Sequence, residues 1–146
     1  MILFLYEFNS NRVVANMRYT FTGYPENCPP EPREEMCGTY YRLVRNNNIA
    51  DPSHFKSHYE LNQRLDLEDS DPCSRRALSM FKEYDQAVNL SKNYPKLGKF
   101  IACLNLNGGH GVVCKDECKY VGHHNWWVPS GVVAADFCPK IEGPVS

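Results

Sequence analysis

The stretch Tyr24-Pro-Glu-Asn-Cys-Pro-Pro-Glu-Pro-Arg33 limits what this chain can fold into more than any other. Each proline fixes φ and removes a backbone donor, so neither a helix nor a central strand can run through it. The stretch divides the 146-residue sequence into two parts. Residues 1–37 are expected to be an N-terminal strand or arm followed by a proline-rich linker, with Met17 and Met36 as alternative starts. Residues 38–146 are expected to form one globular domain of ordinary size. A chain of this length buries roughly two-thirds of its unfolded surface and needs no covalent staples.

The expected elements follow from periodicity and turn residues. Thr39–Arg45 is rich in β-formers and predicts a strand, ended by Asn46, Asn47 and Asn48. Asp51, Pro52 and Ser53 carry a helix-start signal and predict a short helix over 54–64, followed by an acidic loop over 66–72. The run 76–81 fits a short buried strand or the first turn of a helix equally well. Residues 82–93 carry helical spacing, with Tyr84, Ala87, Val88 and Leu90 near one face and Pro95 as the stop. Lys99–Leu106 is the clearest strand. Asn107, Gly108 and Gly109 predict a turn into a return strand over 111–115, forming a hairpin. Further strands are expected over 126–128 and 131–135. The irregular alternation predicts an α+β domain, with a small mixed or antiparallel sheet and one or two packing helices.

Charge narrows the function classes. Sixteen basic residues face seventeen acidic ones, and the net charge is −1. That balance provides no basic face for duplex nucleic acid, although Lys92, Lys96 and Lys99 make a local patch. Residues 1–6 are apolar but lack the basic region and cleavage site of a secretory leader. No stretch approaches the roughly 20 apolar residues of a membrane span. The expected compartment is the cytoplasm, with no membrane partner. The odd count of seven cysteines, without a leader, predicts reduced thiols.

The stretch Gly122-His-His-Asn-Trp-Trp-Val-Pro129 concentrates chemistry-bearing residues. His123 and His124 are candidate acid, base or ligand groups near neutral pH. Trp126 is a candidate stacking surface for a nucleobase or nicotinamide ring. In the packing alternative, Trp126 and Trp127 straddle a strand and the histidines cap a loop. Cys114 and Cys118 followed by His123 and His124 are zinc-ligand types, with Cys103, His110 and Cys138 as further donors. The adjacent histidines do not have structural-zinc spacing, and no metal is expected. His54 and His58 would share one helical face, which is expected to be solvated. Gly108-Gly-His-Gly111 fits a hairpin turn better than a phosphate loop. No local signature marks a nucleophilic cysteine.

A resemblance rests on these residues taken in order. Tyr41-Arg42, Asp51-Pro-Ser-His-Phe-Lys-Ser57, Ala77-Leu-Ser-Met-Phe81, Leu97-Gly-Lys-Phe-Ile-Ala-Cys-Leu104 and His123-His-Asn-Trp-Trp127 resemble a group of small bacterial proteins. The layout of that group is similar to minimal ADP-ribosyltransferase-like folds, including the RES-type toxin domains. The resemblance covers residues 39–135. It implies that Arg42, with Tyr41 and Trp126, binds the cofactor NAD, the Arg42 fork holding the dinucleotide phosphates. It implies that Ser79 orients the nicotinamide ribose. The fold's late acidic residue has no obvious counterpart, because Glu117 and Glu142 are the only glutamates beyond Glu83. His123 or His124 would take that catalytic role. The readings are therefore a ligand-binding or interaction domain on this scaffold, with a nucleotide or protein partner; an NAD-using transferase or NAD-degrading toxin; or a small zinc- or thiol-dependent protein. The first two place Arg42 and residues 123–126 on one concave surface.

Overall fold

The structure, a computed structural model, describes residues 19–31, 34–118 and 120–146. Its elements are β1 (Gly38–Val44), α1 (Leu67–Ser70), α2 (Pro72–Arg75), β2 (Leu78–Phe81), α3 (Tyr84–Asn93), β3 (Phe100–Leu106), β4 (Val112–Lys115), β5 (His123–Trp127) and β6 (Lys140–Glu142). Short 3-10 turns lie at Pro52–Phe55, Pro95–Leu97, Gly108–His110 and Ala134–Phe137. The strands form one antiparallel sheet in the order β4-β5-β2-β1-β3-β6. The α+β class is as the sequence predicts, and of the mixed and antiparallel alternatives the sheet is antiparallel.

Three local expectations are corrected. The helix over 54–64 shrinks to the 3-10 turn that Asp51 caps, because Asn62 (φ 57°) and Arg64 (φ 51°) adopt left-handed backbone that no helix accommodates. The strand over 131–135 is not formed. Gly131 turns at φ 88°, and the chain enters the 3-10 turn at Ala134 instead. The hairpin of β3 with β4 is also absent, since β3 pairs with β1 and β6 while β4 pairs with β5.

That last correction reveals the shape of the sheet. β3 and β4 lie four places apart in strand order, which in a flat sheet is about 19 Å. Residues 107–111 connect them, and even fully extended they reach only about 20 Å. The Gly108–His110 turn is far from extended, so the sheet must curl. Leu104 and Leu106 of β3 accordingly share one core cluster with Val113 of β4, Trp126 of β5, Tyr40 of β1 and Met80 of β2. On the outer face, α3 packs Ala87 and Leu90 against Phe81 and Ile101. The curl closes at Gly111, whose φ is 136°. A Cβ there would run into the Trp127 carbonyl oxygen and come within 2.8 Å of Trp126 Nε1. This explains the last glycine of the Gly108–Gly111 motif without a phosphate. Gly111→Ala is expected to destabilise the domain by about 1–3 kcal/mol in urea unfolding.

The curl is hinged. β1 pairs with all seven positions of β3, and β2 with four of β5. β1 and β2 share a single register pair, Tyr41 with Phe81. The sheet therefore consists of two three-stranded halves joined by one rung. The next pairs, Arg42 with Met80 and Leu43 with Ser79, are not formed, and the strands part there.

The segment expected to be a separate arm is integral to the domain over its described residues; a strand within 1–18 lies outside them. Tyr19, Phe21, Tyr24 and Cys28 cover an outer cluster of Ala77, Val112 and Trp127. Arg76 Nε donates to the Gly23 carbonyl at 2.7 Å. Glu34 bridges to Val113 on the edge strand β4, and Met36 lies in the main core. Prolines prevent regular structure here but do not prevent packing. Cys28 is disulfide-bonded to Cys73 at the start of α2, which corrects the expectation of seven reduced thiols. Disulfides persist in oxidising compartments, so the cytoplasmic assignment loses the support it drew from reduced cysteines. The bond closes a 45-residue separation. Replacing both cysteines by serine is expected to lower the unfolding free energy by about 2–4 kcal/mol. Equal denaturation midpoints with and without reductant would show that the pair is not bonded in solution.

Candidate functional site

The site lies where β1 and β2 part. Beyond Val44, the polar run after β1 folds back through side-chain-to-backbone bonds. Asn46 Oδ1 accepts from the Asn48 N–H at 2.8 Å, and Asn48 Oδ1 from the Ala50 N–H at 3.0 Å. Asp51 accepts from Asn46 Nδ2 at 2.9 Å and from the Ser53 N–H at 2.9 Å. These bonds hold the Asp51 carboxyl at about 2. Short polar side chains favour such local turns over regular structure. The result sets the 3-10 turn Pro52–Phe55 across the mouth of the split, with its His54 carbonyl facing Arg42.

Arg42 braces the gap. Its Nε donates to the His54 carbonyl at 2.8 Å, and its Nη1 donates to the Ser79 carbonyl at 3.0 Å. A guanidinium carries five N–H donors. Two are used, and among the described residues the other three have no protein partner. No carboxylate pairs with it among the described residues. Burial away from water lowers its pKa to about 10, and it remains cationic at neutral pH.

The cavity at this point has a volume of 340 Å³. Arg42, Arg45, Lys56, His54, His58 and Ser79 supply its polar wall, and no Asp or Glu lines it among the described residues. Ser79 is exposed there, and its hydroxyl makes no hydrogen bond to the protein among the described residues. His58 has its pKa lowered, first by desolvation and further by the charges of Arg64, Arg42 and Arg75, against a raising contact with Gln63. The cavity therefore has a positive potential and uncommitted donors, the chemistry of an oxyanion receptor.

Arg42 and Ser79, predicted from sequence, meet in this cavity. The other predicted residues do not join them. His123 and His124 are consecutive on β5 and project to opposite faces, as strand geometry requires. His123 Nδ1 donates to the Asp116 carbonyl at 2.9 Å, and the ring packs 5.6 Å from Phe81. Desolvation lowers its pKa. His124 is buried against Tyr40, donates to the Gly122 carbonyl at 2.9 Å and lies 3.4 Å from Glu34 Oε1. Trp126 is fully buried in the core and donates to the His110 carbonyl at 3.0 Å. Tyr41 faces away from Arg42 and packs edge-on to Tyr84 at 5.6 Å. The concave surface expected to join Arg42 with residues 123–126 is thus not formed. In this stretch the aromatic residues serve packing, because β5 lies inside the sheet with β2 and β4 on either side.

Sequence reasoning missed Arg45, Lys56, His54 and His58 as wall residues. It set the two histidines on a solvated helical face, but His54 is buried and its Nε2 donates to Asn46 Oδ1 at 3.1 Å. The available signal was the density of turn formers over 46–53, which returns the chain over the end of β1. Among the described residues, no three His, Cys, Asp or Glu side chains converge as a metal site. No helix among them is long and apolar enough to cross a membrane. The chain matches no protein-family model, and no curated protein or solved structure shows significant similarity to it.

The site has a pH signature. An anion beside His58 stabilises its charged form, so sulfate, which does not titrate in this range, should raise the His58 pKa from below its ordinary 6.5. By linkage, sulfate affinity should rise as pH falls through that value. An NMR titration of the His58 ring with and without sulfate measures this. An identical midpoint in both would mean that no anion seats beside the ring.

Proposed function

We propose that this domain binds a small ligand through an anionic group, with phosphate or diphosphate oxygens seated on Arg42 in the split between β1 and β2. The observation that carries the proposal is the uncompensated guanidinium: three free N–H donors, no carboxylate partner among the described residues, and a cavity lined by further cations. A charge withdrawn from water without a counter-ion costs free energy, and a bound oxyanion repays that cost.

Arg42 on the first strand and Ser79 on the next share this cavity, which supports a ligand-binding version of the ADP-ribosyltransferase-like scaffold. NAD is then one candidate ligand among phosphate-bearing molecules. Group transfer from NAD would need a group to polarise the ribose hydroxyl. No carboxylate lines the cavity among the described residues, and His123 and His124 lie elsewhere, so binding is preferred to catalysis.

Calorimetry with inorganic pyrophosphate tests the proposal. The wild type should bind. Arg42→Lys should weaken binding about tenfold or more, because an ammonium cannot brace two carbonyls and still offer a planar fork. Arg45→Gln, at an exposed position, should weaken it about threefold, lose that difference at high salt and leave the melting temperature unchanged. Absence of binding in a folded wild type would refute the proposal. Release of nicotinamide on incubation with NAD would replace it with an enzymatic one.

A further inference from the structure

A second cavity, of 590 Å³, adjoins the first, and Lys56 and Ser57 line both. The chain alternates between them. His54 contributes to the cationic cavity, Phe55 to the second one, and the next two residues form the shared wall. The second cavity is apolar along Ile49, Phe55, Leu78, Val128 and Val133. Two of these stand at its rim in contact with solvent, Ile49 at 40% and Val133 at 56% exposure. Core formation does not account for large apolar side chains left open beside a concave surface.

Charge is segregated between the two. The carboxylates absent from the first cavity appear in the second, as Asp51 and Glu60. Arg76, which also lines the second cavity, is neutralised by Glu68 through bonds at 3.0 Å. An anion is therefore attracted to the Arg42 side and repelled from the Ile49 side, and an apolar group finds a dry surface only on the Ile49 side.

We infer that one amphiphilic ligand spans both cavities: an organic phosphate whose phosphate sits on Arg42 and whose aryl or alkyl body crosses the Lys56–Ser57 wall to lie against Phe55 and Val133. This rests on the anion-binding reading and adds the class of molecule. The two volumes together are in the range of drug-sized ligand sites, well beyond what a lone phosphate fills. The apolar body supplies affinity, and the segregated charge sets its direction.

The test compares three probes by calorimetry: inorganic phosphate, 1-naphthyl phosphate and neutral 1-naphthol. Naphthyl phosphate should bind at least about tenfold more tightly than inorganic phosphate. Val133→Asp and Ile49→Asp change exposed rim positions that the fold tolerates. Each should remove most of the tenfold gain and leave the affinity for inorganic phosphate within twofold. Equal binding of the two phosphates would overturn the inference and leave the anion site standing. Rim variants that fail to reduce the gain would also overturn it. Tight naphthol binding that Arg42→Lys does not affect would do so as well, by showing an apolar site uncoupled from the anion. If neither phosphate binds, the anion-binding reading itself fails.

Discussion

One rung of backbone pairing, Tyr41 with Phe81, joins the two halves of the sheet. Each half is conventionally paired within itself, so the stability of the strands does not depend on that rung, but the shape of the molecule does. A fuller β1–β2 ladder would flatten the sheet, and the short 107–111 connection could then not join β3 to β4. With a single rung the halves rotate towards each other, enclose Tyr40, Met80, Leu104 and Trp126, and leave an opening at the far end of β1. The core and the cavity are consequences of the same break in pairing.

Arg42 occupies that break. By donating to one carbonyl on β2 and one on the 52–55 turn, it satisfies a β2 acceptor that the missing rungs leave behind and ties it to the turn. A comparison with the buried arginines Arg75 and Arg76 clarifies its role. Arg75 and Arg76 also donate to backbone carbonyls, but both pair with Glu68, at 2.8 and 3.0 Å. Their bonds hold the Glu68 carboxyl at about 2. Arg76 also stacks 3.8 Å from the Tyr59 ring. Within that network each guanidinium charge has a carboxylate partner. Arg42 has the same backbone duties but, among the described residues, no carboxylate partner, and that absence is what distinguishes it from the other two.

Much of the local structure was legible. Thr39–Arg45, Lys99–Leu106 and the helix after Glu83 all form within a residue or two of the expected positions, because their β-branched and aromatic runs or helical spacing act over neighbouring residues. Pro95 ends the helix as expected, with Tyr94 as the last cap. The errors share a different origin. For the tandem histidines and tryptophans the packing alternative holds for the tryptophans, both buried, and an interior strand position buries His124 with them. The proline-rich stretch looked like a linker by propensity, yet a disulfide and four aromatic or sulfur side chains tie its neighbourhood to Trp127. In both places tertiary contact outweighed the local signal.

The sequence by itself determined the fold class, the strands over Thr39–Arg45 and Lys99–Leu106, and the helix after Glu83. These depend on interactions between residues near one another in the chain. Only the tertiary structure decided that β1 and β2 part after one rung, that residues 46–57 return over the gap, and that no carboxylate among the described residues lines the cavity there. Strand partners and counter-ions are chosen across long sequence separations, by which surfaces meet when the sheet curls, and no local pattern encodes that choice.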